Sequence, residues 1–176
     1  MAPFKFLASS ADNQRVMERK LAGSEAGSTL VEFSITLVPM LALLFLTMDV
    51  AWAIFARATL QHAVREGVRF GVTGQILAGK GCLGSSIQQV VAQNSFGFIP
   101  ASKASQYVSV SYYSPTTLTP VLGAGGAAGG NVVQVSVSSI GLRAMAPLWH
   151  GASPISLSAV ASDVMESPPN GIAPCP

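Results

Sequence analysis

The sequence predicts an α+β fold: a long amino-terminal helix, apolar and then amphipathic, packed on a small antiparallel sheet. Three observations predict it. From Phe33 to Ala56 the only charged residue is Asp49. From Ala56 to Val72, apolar and small residues recur with helical periodicity on one arc. Within Val132–Ser138, Val133, Val135 and Val137 alternate with Gln134, Ser136 and Ser138.

The chain has 176 residues, 49% of them hydrophobic and 10% charged, where about a quarter charged is usual for a globular protein. Its formal net charge is +2, so no strong field for nucleic acid or acidic substrates follows, and no nucleic-acid partner is expected. Four parts are expected: a leader over 1–27, a membrane span over 28–56, an amphipathic continuation of the same helix over 57–74, and an α+β domain over 75–176.

Residues 1–26 are mixed and polar, with no apolar core of the kind a conventional secretory signal carries. They need no fold of their own beyond a helical turn or two between Val16 and Leu21. Positive residues flank the span on both sides (Arg15, Arg19 and Lys20 before it; Arg57, Arg65 and Arg69 after it), so charge asymmetry does not orient it.

The run Gly27-Ser28-Thr29-Leu30-Val31-Glu32-Phe33 opens the apolar stretch. As a helix, Phe33 to Ala56 reaches ~36 Å at about 1.5 Å per residue, enough to cross a hydrocarbon core with some tilt. A buried core helix is the alternative. Pro39 removes a backbone donor, so a kink is expected near residues 35–39. Carboxylates are costly inside membranes and are read as functional pairings. Asp49, near the outer end, is either an interfacial residue bonded to Trp52 or a partner backbone, or a contact with another helix. Trp52 suits the headgroup belt.

This amino terminus resembles type IV prepilins and pseudopilins. In those families a prepilin peptidase cuts after a Gly, and a Glu stands fifth in the mature chain. The resemblance implies cleavage at the Gly27–Ser28 bond, with Glu32 fifth thereafter, neutralised by the new α-amine of Ser28 on the same or a neighbouring subunit. Phe33 stands where pilin-like members often have Tyr. The other reading is an uncleaved signal anchor with Glu32 at the interface.

After Arg57 the helix continues into water. Leu60, Ala63, Val64, Gly67, Val68, Phe70 and Gly71 share one arc, for packing; His62, Arg65, Glu66 and Arg69 share the opposite one. His62–Glu66 and Glu66–Arg69 are at pairing distance along a helix. Gly67 and Gly71 allow close backbone approach, and Gly74 ends the helix. The order Asp49, Phe55-Ala56-Arg57, Leu60-Gln61 and Ala63-Val64-Arg65-Glu66-Gly67-Val68-Arg69 is similar to the TadE-like family of pseudopilins, with Arg65, Glu66, Gly67 and Arg69 as its most recognisable piece. The resemblance implies a bacterial protein of Tad (Flp-type) pilus assembly or a related secretion apparatus. It further implies an inner-membrane, single-pass chain, with its amino terminus cytoplasmic and its carboxy-terminal domain periplasmic. Its partners would be a prepilin peptidase, other pilin-like subunits, inner-membrane Tad proteins and the lipid bilayer, and it would either enter the pilus or prime it.

Beyond Gln75, Ser85 is expected to cap a helix running to about Asn94, with Ile87, Val90 and Val91 inward. Strands are expected at Tyr107–Tyr113, Val132–Ser138 and Ile155–Met165, the last with Ile155, Leu157 and Ala159 on one face. Ile140–Trp149 reads as a short helical or irregular turn, and Ser167 to Pro176 as irregular. The glycine-rich stretch between Gly123 and Gly130 lacks the residues of a phosphate loop and reads as a flexible connection. The Leu60–Phe70 arc is expected to cover the apolar face of the sheet.

Cys82 and Cys175 lie on the same side of the span; in an oxidising compartment they form a disulfide, and otherwise they are two free thiols. His62 and His150 have no metal-ligand spacing with either, so no metal and no cofactor are expected. No nucleophile elbow or catalytic pair is present, and the chain is read as a non-enzyme. Besides the assembly protein, two other functions fit: an uncleaved anchor displaying a periplasmic binding module, and a tethered periplasmic enzyme.

Overall fold

The computed structural model describes residues 6–142 and 154–166, with side chains from Gly27 onward, Ala124 excepted. The elements in order are α1 (Phe6–Val72), α2 (Leu83–Asn94), a 3-10 turn (Ala101–Lys103), α3 (Ala104–Tyr107), β1 (Val108–Tyr113), a second 3-10 turn (Gly123–Gly125), β2 (Val132–Leu142) and β3 (Ile155–Val164). The fold is α+β. The chain divides into two compact units, Met1–Thr47 and Met48–Pro176.

The first unit is helix. α1 begins at Phe6, well before the turn or two expected in the leader. The reason is composition: between Phe6 and Val38 there is no proline, and Ala, Leu, Met, Gln, Glu, Arg and Lys are good helix formers. The helix also runs through Pro39 without interruption. In the turn before it, Thr36 Oγ1 donates to the carbonyls of Glu32 and Phe33, at 3.1 and 3.0 Å. Such back-bonding tends to bend a helix, and the carbonyl that Pro39 leaves without its N–H partner is that of Ile35.

In the second unit, the last five turns of α1 carry the expected apolar arc. Ala56, Leu60, Ala63, Val64 and Val68 are buried. Leu60, Ala63, Val64 and Val68 share one cluster with Leu83, Ile87 and Val91 of α2 and with Val133, Val135 and Val137 of β2. Two glycines set how closely these elements approach. A Cβ at Gly67 would overlap Val91 Cγ2, and one at Gly71 would lie 2.9 Å from Ile87 Cδ1 and 3.8 Å from Val133 Cγ2. α1 stops after Val72, where Gly74 takes a φ of 64° and its N–H bonds Gly71 O at 3.0 Å, a left-handed stop that favours glycine.

α2 starts three residues earlier than expected, and Ser85 is not its cap. Cys82 occupies that position, and its side chain makes no capping bond. The hydroxyls of Ser85 and Ser86 instead turn back and donate to Cys82 O, both at 3.0 Å. Ser86 Oγ also accepts from Leu77 N–H at 3.1 Å, clipping the preceding loop to the helix. Ile87 and Val91 face inward as expected, whereas Val90 is only half-buried.

The sheet is antiparallel, in the order β1-β2-β3. β2 extends past Ser138 to Leu142, so the turn expected from Ile140 begins as strand; residues 143–149 of that stretch lie outside the described residues. Val137 pairs with Ala159 but Ile140 pairs with Leu157, so β2 holds one residue more than β3 between these pairs. Ser139, with a φ of 63°, sits in this bulge. The inserted residue resets the pleat. Val133, Val135 and Val137 are buried before it, and Ile140 and Leu142 after it, so odd positions give way to even ones on the same apolar face. On β3, Ala159 is buried, Leu157 and Ala161 are half-buried, and Ile155 is exposed where an inward position was expected.

The glycine-rich connection between β1 and β2 is tied down, not loose. Asn131 Nδ2 donates to Gly125 O and Gly126 O at 2.8 and 3.1 Å, and Gly130 N–H bonds Met165 O at 2.9 Å. Gly126 lies against the Tyr112 ring, where a Cβ would meet Tyr112 Cδ2 at 3.0 Å. After β3, Met165 N–H bonds Asn131 O at 2.7 Å and Glu166 N–H bonds Val72 O at 3.3 Å. These bonds place the Tyr113–Val132 end of the sheet at the carboxy-terminal end of α1. The expected irregular tail, Ser167 to Pro176, lies outside the described residues.

Candidate functional site

The functional residues read from the sequence are strung along one helix, not gathered in a pocket. At its start, Gly27, Ser28, Glu32 and Phe33 are all exposed. A Cβ at Gly27 would meet nothing within 4 Å. Leu30, Val31, Ser34, Ile35, Val38 and Pro39 line a shallow apolar hollow on this part of the helix. Among the described residues, this helix is long and apolar enough to cross a membrane, its best window having a mean hydropathy of 2.1 and no residue buried within the chain.

Polar groups within the apolar stretch are handled locally. Ser34 Oγ donates to Leu30 O at 2.7 Å, and Thr47 Oγ1 donates to Leu44 O at 2.8 Å. Asp49 is half-buried and makes polar contact. It lies on the arc that continues through Ala53 and Ala56 to Leu60, the stripe that enters the core.

An aromatic cluster follows. Trp52 stacks on Phe55 at 5.6 Å between ring centroids, and Phe98, from the loop after α2, packs on both at 5.7 and 6.5 Å. Of Trp52 and Phe98, the sequence flagged the first as a headgroup residue. It gave no sign that they meet, because they are 46 positions apart and only the docking of α2 joins them.

Further on, the Arg65-Glu66-Gly67-Val68-Arg69 element splits into two roles. Gly67 and Val68 are buried against α2, while Arg65 and Arg69 are exposed and Glu66 is half-buried. The expected His62–Glu66 and Glu66–Arg69 pairs do not close among the described residues. On an exposed helix face such pairs gain only a few tenths of a kcal/mol, so solvation of the separate charges wins easily.

Cys82 is disulfide-bonded and not a free thiol. Cys175, with which the sequence reading paired it, lies outside the described residues, as does His150. Among the described residues, no group of three His, Cys, Asp or Glu is placed to hold a metal ion. Tyr112 is buried at the sheet, its hydroxyl without a partner among the described residues, and burial pushes its pKa up to about 12.

Residues 27–69 match the family model described as TadE-like protein. The likeness is confined to this segment. It opens on Gly27, takes in the whole apolar stretch, and closes on Arg69, covering about a quarter of the chain. No curated protein and no solved structure matches the chain. The apolar amino-terminal helix fits a single-pass membrane anchor.

Proposed function

We propose that the chain is a precursor pseudopilin, cut by a prepilin peptidase between Gly27 and Ser28, whose mature helix associates with other pilin-like helices in a Tad pilus or a related secretion apparatus. The observation that carries this reading is the TadE-like match that opens on Gly27, at the head of an apolar helix with no buried face in its most hydropathic window. The amino terminus then faces the cytoplasm and the folded unit faces the periplasm of a bacterial inner membrane. The protein acts by assembly and not by catalysis.

Cleavage would turn Ser28 into a free α-amine one helical turn before Glu32. An isolated carboxylate in hydrocarbon costs several kcal/mol, so a positive partner, in the same helix or the next, selects one axial register. Glycine makes the scissile position easy to open, since within a helix it is roughly 1 kcal/mol less stable than alanine. That matters because α1 is helical across the bond and a protease needs extended backbone.

The same continuity favours a second reading, an uncleaved single-pass anchor that displays the folded unit as a binding module. Sequencing the amino terminus of protein taken from membranes of cells expressing the peptidase separates the two. A chain beginning at Ser28 supports processing; one beginning at Met1 or Ala2 supports the uncleaved anchor. Gly27→Val is expected to abolish the shift to the shorter form. Gly27→Ala is the cleaner variant, because its methyl group enters open space and leaves the fold untouched. An unchanged shift in both variants would remove Gly27 from the processing site.

A further inference from the structure

The loop after α2 is built to hold one aromatic ring inward and the next outward. Ser95 is fully buried; its Oγ donates to Ala92 O at 2.7 Å and accepts from Ile99 N–H at 3.1 Å. Within the turn so closed, Phe96 takes a φ of 51° and Gly97 one of 85°. For a bulky residue the left-handed region costs about 1–2 kcal/mol. The strained residue is also 80% exposed. Phe98, two positions on, folds back against Trp52 and Phe55. Those two rings close the apolar stretch of α1, and Ile54 and Phe55 beside them remain 64% and 49% exposed. The exposed Arg57 follows at once.

A lone exposed phenylalanine would call for no explanation. This one is held in a strained conformation, on a turn whose other ring is fixed to the end of the apolar helix. Aromatic rings gather at the membrane–water boundary, where an apolar body meets polar headgroups. We propose that the Phe96-Gly97-Phe98 turn is a second membrane contact: the Phe96 ring enters the headgroup–acyl boundary of the bilayer that α1 crosses, and the folded unit rests on the lipid surface. The proposal depends on α1 spanning the bilayer.

Leu118 supplies the contrast. It has a φ of 52° and is 69% exposed, so strain and exposure are matched. It belongs to the loop that leaves β1, where Tyr113 bridges to Pro120 and Ser114 N–H bonds Thr119 O. That end of the sheet is tied to Val72, which is 20 residues and ~30 Å along α1 from Trp52. Leu118 therefore lies at the end of the folded unit away from Trp52.

The test uses the full chain in phosphatidylcholine–phosphatidylglycerol vesicles, with Trp52→Phe and Trp149→Phe as the background and one tryptophan returned at a time by Phe96→Trp, Leu118→Trp or Leu44→Trp. Lipids brominated either near the headgroup or at the chain centre quench according to depth. Far-UV circular dichroism checks that each variant keeps its fold. Phe96→Trp is expected to be quenched several-fold more than Leu118→Trp, and most by the headgroup-proximal bromine, while Leu44→Trp responds most to the chain-centre bromine. Quenching of Phe96→Trp no stronger than that of Leu118→Trp, with Leu44→Trp still quenched, overturns the membrane contact and leaves the span standing. If Phe96→Trp is also shielded from aqueous iodide in that case, a second copy of the chain covers it, and the proposal falls equally. An unquenched Leu44→Trp removes the span and the proposal together.

Discussion

Gly67 of α1 lies so close to Val91 of α2 that no side chain fits between them. The glycine of the Arg-Glu-Gly-x-Arg element is thus a packing residue, and its flanking arginines are turned to solvent. Gly67→Ala is expected to destabilise the folded unit by about 1–3 kcal/mol, as overpacking does, despite the better helix propensity of alanine. In a Val91→Ala background the same change should cost much less, a coupling that a double-mutant cycle of thermal unfolding measures. Gly71→Ala should be milder, under about 1 kcal/mol, because its nearest neighbour is the mobile tip of Ile87.

Ser139 carries the bulge of β2 in a left-handed conformation. Ser139→Gly should be neutral or stabilising by up to about 1 kcal/mol, since relief of strain competes with lost backbone entropy. Ser139→Val should cost about 1–3 kcal/mol. Melting temperatures of the two variants would rank in the order glycine above valine, and the reverse order would mean that the bulge is not strained.

Tyr112 gives the fold an alkaline limit. Its pKa rises from 10.0 to about 12 because burial disfavours the phenolate. The folded state therefore holds this proton more tightly than the unfolded chain does. The contribution is fully present below pH 10 and is lost as the pH climbs from 10 through 12. Tyr112→Phe should flatten the fall in melting temperature over that window. At neutral pH it should be neutral or stabilising by up to about 1 kcal/mol, because the buried hydroxyl has no partner among the described residues. A clear loss of stability at pH 7 would show that the hydroxyl is bonded after all.

Glu32→Gln separates processing from assembly. The change keeps shape and removes charge at an exposed position. Conversion to the shorter form is expected to persist, while co-isolation with pilin-like partners falls several-fold. Equal co-isolation would mean that the carboxylate does not set the register between helices.

Much of this fold could be read from periodicity. The arc from Ala56 to Gly71 keeps the helical repeat, and the valines of β2 alternate, so both the buried stripe and the central strand were visible. The same strand hid its continuation, because Ser138-Ser139 breaks the alternation and Ile140 and Leu142 resume it one residue out of phase. Short elements without a period, such as Ala101–Lys103 and Ala104–Tyr107, gave no signal. Glycine content suggested slack between Gly123 and Gly130, whereas the side chain of Asn131 pins that stretch from outside it. The meeting of Phe98 with Trp52 is a tertiary event that neither segment encodes alone. At Gly27 the surroundings add that no described residue would crowd a Cβ there.

Ser34, Thr36 and Thr47 each lend their hydroxyls to their own backbone. A hydroxyl already engaged has no proton left to donate to whatever lies alongside, oil or protein. In the association proposed above, this rod's neighbours are chosen by contour and by its two carboxylates. Along these turns it can exchange a lipid neighbour for a sister rod without stranding a hydroxyl on the way.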